Sequence, residues 1–302
     1  MTFDAIVVGG SYAGLSAALQ LARARRRVLV MDSGQRRNRF AAHAHGFLGQ
    51  DGRPPGDIAA DARQQLLAYP TVEWADTKAT SGEGAADGFS IGTAGGARYH
   101  GRRVILAVGV ADTLPALPGL AERWGKTVFH CPYCDGYELD QGRIGVLASS
   151  EMSMHHALML PDWGSTTLFL NDAFAPDAGQ LAQLQARNVA IERAPIVRLS
   201  GASLDVELVD GRTIALDGMF TLTRTGPSSP LGAQLGCVME DGPMGPFLQT
   251  DAFKETSVPG IFACGDVARP MGSVAFAVAD GAMAGVGVHR SLIFSPDRVA
   301  GA

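Results

Sequence analysis

Cysteine is scarce in this chain, with four in 302 residues. That is too few for a disulfide framework, and the expected home is the reducing cytoplasm. Basic charge is not in excess either. Lys and Arg number 25 against 30 Asp and Glu, a net charge of −5. Such a balance argues against a nucleic-acid binder and against attraction to an anionic membrane surface. No uninterrupted apolar run approaches a membrane span. The opening Met-Thr-Phe-Asp-Ala-Ile-Val-Val has no basic region and no long apolar core, so neither a signal peptide nor a membrane anchor is expected. No internal repeat is evident beyond two similar strand–turn–helix–strand units.

Glycine, by contrast, is abundant at 38 residues, which points to many tight turns and close backbone approaches. With 46% hydrophobic residues the chain can bury one or two cores of ordinary size. Residues 3–8 form a short apolar run ending at Gly9, as a buried parallel strand would. Helical spacing follows over 13–24, then a second strand over 28–31 ending at Asp32. A helix is expected over 55–69, and strands over 72–77, 89–93 and 104–108, with a Gly-rich tip at 82–88. Pro115, Pro118 and Gly119 read as a linker. A second unit follows: strand 143–147, helix 152–160, strand 166–170, and a further helix over 181–187. Residues 196–222 alternate like an antiparallel excursion turning at Asp210-Gly211. A second linker at Gly226, Pro227 and Pro230 leads to strand 260–263 and a long small-residue helix over 273–293. The tail after Ser295 is expected to be loose. The fold class is therefore α/β, with two Rossmann-like three-layer domains, the second inserted into the first. Residues 1–113 and 226–302 make the outer domain, and 114–225 the insert.

The insert opens with the most informative stretch, His130-Cys131-Pro132-Tyr133-Cys134-Asp135-Gly136-Tyr137-Glu138. Two cysteines separated by two residues can close a small disulfide ring and so exchange two electrons together. Asp135 adds a carboxyl group able to carry the accompanying proton. Zinc is the competing reading, but it needs four ligands. Cys237 and Cys264 stand alone, and His130 is poorly placed to share an ion with its neighbour Cys131. His155 and His156 are available in principle. No metal is expected.

Gly9-Gly10-Ser11-Tyr12-Ala13-Gly14 is a dinucleotide turn with Ser11 in place of the middle glycine. It lies between a strand and a helix, and Asp32 ends the next strand about 20 residues on, where a ribose-binding acid belongs. Near the other end, Gly260-Ile-Phe-Ala-Cys-Gly-Asp-Val267 places Gly265-Asp266 after a strand. Such a turn can offer a carboxylate and backbone amides to a flavin's ribityl and phosphate region. Cys264 reads as a small buried apolar residue.

Together with Leu106-Ala107-Val108-Gly109, these motifs resemble the low-molecular-weight thioredoxin reductase family of flavoproteins over nearly the whole length. The resemblance implies FAD bound by the outer segments. The residues implicated are Gly9, Ser11, Tyr12, Ala13, Gly14, Asp32, Ser33, Arg37, Asn38, His45, Ala107, Gly109, Gly265, Asp266, Ser273, Val274 and Ala275. It also implies a homodimer and a redox disulfide on the insert. In the family pattern Cys134 faces the flavin, Cys131 exchanges with substrate and Asp135 handles protons. The substrate would be a thioredoxin-like protein or a small-molecule dithiol or disulfide.

The pattern breaks at the second nucleotide turn, Leu147-Ala148-Ser149-Ser150-Glu151-Met152-Ser153. Ala148, Ser150 and Ser153 stand where glycines are expected, and Glu151 opposes a phosphate. After the next strand comes Leu170-Asn171-Asp172, whose acid would repel a 2′-phosphate and disfavours NADPH more than NADH. Three routes for electrons follow. A reshaped nicotinamide site feeds the flavin and a disulfide is reduced. A small-molecule dithiol reduces the flavin through the cysteines and O2 removes the electrons. Or another protein, such as ferredoxin, supplies them. A flavin-binding regulator without turnover is the reading from a different class. The segments 36–39 and 43–52 are where an altered partner would be met, and His45 is a candidate base as well as a cofactor residue.

Overall fold

The computed structural model describes residues 2–85 and 87–294; the tail after Ser295 lies outside them. The chain forms two compact units, one of Met1–Arg39, Pro55–Ala111 and Thr225–Ala302, the other of Phe40–Pro54 and Asp112–Arg224. The connecting strands Val110–Thr113 and Arg224–Pro227 pair with each other.

The first unit is built on a five-stranded sheet in the order Ile261–Ala263, Val104–Leu106, Ala5–Val8, Val28–Asp32, Val72–Asp76. Every pairing is parallel, with Val7 opposite both Val30 and Ile105. Ala5–Val8 is buried throughout, which explains its unbroken apolar run: Ile6 and Val8 share a core with Phe89 and Ile91 of a second sheet, while helices cover the other face. The helix Tyr12–Arg23 lies against the long helix Val274–Phe294. Contact is close because the long helix is small-sided there. A Cβ on Gly281 would run into the carbonyl of Ala13, and one on Gly285 into that of Ala17. Ser16 Oγ donates to the Val278 carbonyl at 2.7 Å. Arg103 is fully buried and ties the far end of the long helix, donating from Nε to Ser291 Oγ at 2.9 Å.

A second sheet of four strands runs Thr2–Phe3, Arg98–Gly101, Gly88–Thr93, Ala79–Ala85. Most of the expected Gly-rich tip is therefore strand. Gly82, Glu83 and Gly84 pair antiparallel with Ile91, Ser90 and Phe89, and Leu231 and Leu235 occupy the space beside Gly82 where a side chain would stand.

The second unit has its own parallel sheet, in the order Val128–Phe129, Gly218–Thr221, Gln141–Leu147, Gly164–Phe169, Ala190–Glu192. Ile196–Ser200, Leu204–Leu208 and Thr213–Leu216 form the antiparallel excursion expected from their alternation. The excursion ends sooner than the sequence suggests. Gly218–Thr221 is buried at every position and rejoins the parallel sheet between two strands, where a half-exposed alternating strand would not fit. The expected helix over 152–160 begins as a tight 3-10 turn, Glu151–Ser153, and continues as Met154–Met159.

Residues 40–54, read from sequence as part of the outer domain, belong with the second unit. This arm folds back on itself through an Ala44–Arg53 bridge and turns at Gly46, Gly49 and Gly52, all at positive φ. Its start is seated against Gly125, whose missing Cβ would lie 2.7 Å from Phe40 Cβ. No helix among the described residues is long and apolar enough to cross a membrane.

Candidate functional site

In the first unit the expected cofactor residues converge on the C-terminal ends of the parallel strands. Gly9 leaves its strand at φ +105°, and a Cβ there would collide with the Ala107 carbonyl. A Cβ on Gly14 would collide with the carbonyl of Gly9. Both positions therefore require glycine, and the chain turns tightly into the helix. Ser11 precedes that helix with extended backbone, makes no capping bond, and no acid follows in the first turn. The first amides of the helix are left for an anion from outside. Asp32 Oδ1 accepts the Gly10 amide at 3.2 Å.

Three further segments reach the same end of the sheet. Tyr12 hydroxyl donates to the Pro55 carbonyl at 2.9 Å and accepts from Asn38 Nδ2 at 3.1 Å. Arg37 Nη1 pairs with Asp266 Oδ2 at 2.9 Å. Gly265, at φ +75°, lies close to Ala13. Ser273 Oγ accepts the Phe276 amide at 3.2 Å, capping the long helix so that Val274 and Ala275 form its first turn. Gly109 is at φ +67° beside open space, and Ser33 is exposed. Of the seventeen residues expected at the cofactor, His45 alone falls in the other unit.

In the second unit Cys131 and Cys134 are joined as a disulfide. Cys131 caps the one-turn helix Pro132–Asp135, which Pro132 opens at a position where no amide partner is lost. Both cysteines are half-exposed. Asp135 is held in a less polar setting, and its carboxyl is pushed up to about 7, first by burial and then by the charge of Glu138, with His45 acting in the opposite sense. His45 comes from the arm. Its Nε2 lies 3.4 Å from Glu138 Oε1 and its Nδ1 3.7 Å from Asp51 Oδ1. Tyr133, 73% exposed, meets Trp163 edge-on at 5.4 Å. Cys237 and Cys264 are both buried and unbridged, and burial pushes the Cys264 thiol far up. His156 sits in a core beside Phe220, where burial lowers it to about 4. Among the described residues no group of three or more His, Cys, Asp or Glu is placed to hold a metal ion.

Residues 3–281 match the family described as pyridine nucleotide-disulphide oxidoreductase. The chain belongs to that family. A thioredoxin reductase of Claviceps purpurea (strain 20.1), tcpT, is 32% identical over 297 residues, covering 93% of this chain and 92% of its own. Among solved structures, an oxidoreductase from Agrobacterium tumefaciens superposes with a TM-score of 0.95 at 57% identity, covering 97% of this chain and 99% of that one. HlmI superposes at 0.91 with 36% identity, covering 98% and 94%. The chain is a thioredoxin reductase-like, FAD-dependent oxidoreductase with the paired Rossmann fold of that group.

Membership in this family implies two dinucleotides, and the two turns answer differently. The first fits FAD. It has the glycine cradle, a helix start without its own cap, and two buried polar atoms without a protein partner nearby, Asn38 Oδ1 and Arg36 Nε. The second does not fit a nicotinamide dinucleotide. Ser153 Oγ, fully buried, accepts the Ser149 amide at 3.0 Å, and Ser150 Oγ accepts the Met152 amide at 3.3 Å. Two of the turn's donors, the Ser149 and Met152 amides, are thus bonded to its own side chains. Glu151 stands over the same turn, held by Gln180 Nε2 at 2.6 Å. Asn171 Oδ1 is likewise engaged, accepting the Ile196 amide at 2.8 Å.

Sequence reasoning gave no role to three residues that meet His45 or the cysteine motif: Glu138, Asp51 and Trp163. Glu138 ends the nine-residue motif and stands three places after Asp135, a spacing that could have flagged it. Asp51 and Trp163 carried no local signal.

Proposed function

We propose that this protein is an FAD-dependent thiol–disulfide oxidoreductase that runs in the oxidising direction, taking two electrons from a dithiol substrate. The observation that carries the direction is the second nucleotide turn, where two amides, of Ser149 and Met152, are bonded to Ser153 and Ser150 and Glu151 stands in place of a neutral residue. Without a nicotinamide donor, the cysteine pair is the entry point for electrons.

A substrate thiolate attacks Cys131 Sγ, forming a mixed disulfide and breaking the Cys131–Cys134 bond, so that Cys134 leaves as thiolate. The second substrate thiolate attacks the first substrate sulfur, closing the substrate disulfide and releasing Cys131. Two thiols lose two protons and two electrons, and the electrons come to rest on the cysteine pair. Asp135, half-ionised near neutrality, accepts a proton as the substrate thiol ionises and returns it to a leaving thiolate. FAD, when bound by the glycine cradle, supplies a two-electron acceptor from which molecular oxygen takes the electrons as hydrogen peroxide.

Anaerobic titration of the purified yellow protein tests this reading. Dithiothreitol should bleach the flavin, air should restore the colour with release of peroxide, and Cys131→Ser should abolish the bleaching. NADPH and NADH should leave the spectrum unchanged. Rapid bleaching by either nicotinamide would overturn the direction proposed and favour a disulfide reductase.

A further inference from the structure

The long helix Val274–Phe294 carries one acidic residue, Asp280, and buries it, leaving the side chain 7% exposed. A buried carboxylate is costly unless opposite charge meets it. Here two cations meet the same oxygen. Lys254 Nζ lies 2.8 Å from Asp280 Oδ1, and Arg269 Nη1 lies 2.9 Å from it. The acid is fixed by the scaffold. Its neighbour Gly281 passes the Ala13 carbonyl with no room for a side chain, and Ser16 is bonded to the Val278 carbonyl. The two cations differ in what they carry. Lys254 lies in a turn held by Asp251 Oδ1, which accepts the Phe253 and Glu255 amides at 2.8 and 2.9 Å. Arg269 begins residues 269–273, which are neither helix nor strand and join Gly265-Asp266 to the Ser273 cap. Besides meeting Asp280, its Nε donates to the Met271 carbonyl at 3.3 Å, and its guanidinium lies 4.5 Å over the Phe276 ring. This loop backs the Asp266 carboxylate. A Cβ on Gly272 would fall 2.0 Å from Asp266 Oδ1, while Asp266 Oδ2 is paired with Arg37. A shift of the loop would therefore release both the Asp266 carboxylate and the start of the long helix.

We propose that Asp280 is a positioning residue for FAD: through Arg269 it holds the loop 269–273 so that Asp266 and the Ser273-capped helix start face the cofactor. Asp280 lies in the second turn of the helix and acts through Arg269. A rigid element thus anchors a loop that has no regular structure of its own, the arrangement that keeps a binding constellation in place. The inference rests on the FAD assignment of the glycine cradle, and holds for either direction of electron flow.

The test compares wild type with Asp280→Asn, Arg269→Met, the double variant of these two, and Lys254→Met, each as the full chain. FAD is stripped and titrated back. Affinity is read from flavin fluorescence, and the setting of the bound flavin from visible circular dichroism at saturating FAD. Asp280→Asn and Arg269→Met should each weaken FAD binding by about tenfold or more and alter the flavin dichroism. The double variant should bind no more weakly than the worse single one, because the two residues act as a unit. Lys254→Met removes the other partner of the same buried charge. It should lower the urea midpoint yet leave FAD affinity and flavin dichroism as in wild type. If Asp280→Asn does not fold, Arg269→Met decides in its place, since that side chain is partly exposed. Wild-type affinity and dichroism in Arg269→Met would overturn the proposal. So would a loss in Lys254→Met as large as that in Arg269→Met, or losses that multiply in the double variant, since the buried acid would then serve the fold alone. A wild-type protein that takes up no FAD overturns the cofactor assignment itself, and the proposal with it.

Discussion

The hydroxyl of Ser153 holds the backbone amide of Ser149 at 3.0 Å, closing from within the turn that follows the first strand of the parallel sheet's βα unit in the second unit. Ser150 does the same for Met152. A turn whose donors are already satisfied gains little by accepting a phosphate, since each new bond replaces one already made.

Freeing those donors should therefore create affinity. A Ser150→Gly, Glu151→Gln, Ser153→Gly variant is expected to bind NADH at least about tenfold more tightly than wild type by calorimetric titration. The same variant should lose about 1 kcal/mol of stability per abandoned hydrogen bond. Indistinguishable titration curves for the two proteins would count against self-occupation as the cause.

The first turn should be intolerant in a different way. Gly9 combines φ +105° with a carbonyl where a Cβ would stand. Gly9→Ala should weaken FAD retention by about a hundredfold or more, because backbone must shift in the cradle itself. The readout is flavin absorbance against protein absorbance after gel filtration, with circular dichroism to confirm folding. A fully yellow variant would contradict the cradle assignment.

Asp135 should leave a signature on stability as well as on rate. Its carboxyl titrates near 7 in the folded state, above its unfolded value. The folded state thus binds the proton more tightly, and stability is fully present below the unfolded pKa and is lost as pH rises through about 7. Asp135→Asn cannot titrate. Relative to wild type it should gain about 2–3 kcal/mol between pH 5 and pH 8 in urea denaturation. A wild-type stability with no such extra slope would mean the acid is better solvated than its surroundings suggest.

Much of the fold could be read in advance because the signals were local. The turn at Gly9–Gly14, the acid at Asp32, the Gly265-Asp266 pair and the cysteine motif each announce themselves within a few residues. The parallel strands show as short apolar runs because both their faces are covered. What escaped depends on distant neighbours. Residues 82–84 read as a loop from their glycines, but Leu231 and Leu235, far along the chain, supply the packing that glycine lacks. Gly218–Thr221 looked like one more alternating strand, and only its burial on every side returns it to the main sheet. The arm at 40–54 has no periodicity, so nothing in it reveals which unit it joins. His45 accordingly looked like a cofactor residue, and its neighbour Glu138 lies more than ninety positions away. The substitution of Ala148, Ser150 and Ser153 for glycines was visible, but that the serines would turn inward and satisfy the backbone was not.

The origin of that arm sets a rule for anyone building hybrids of this scaffold. A splice at the two connecting strands would transplant residues 112–224 without the loop donated from the N-terminal third. The resulting chimera would carry its sulfurs and its acid, but the imidazole that meets Glu138 would be whatever the recipient happened to encode. Functional grafts must therefore exchange two separate stretches of gene, and families that shuffle only one should show mismatched acidity at their thiols.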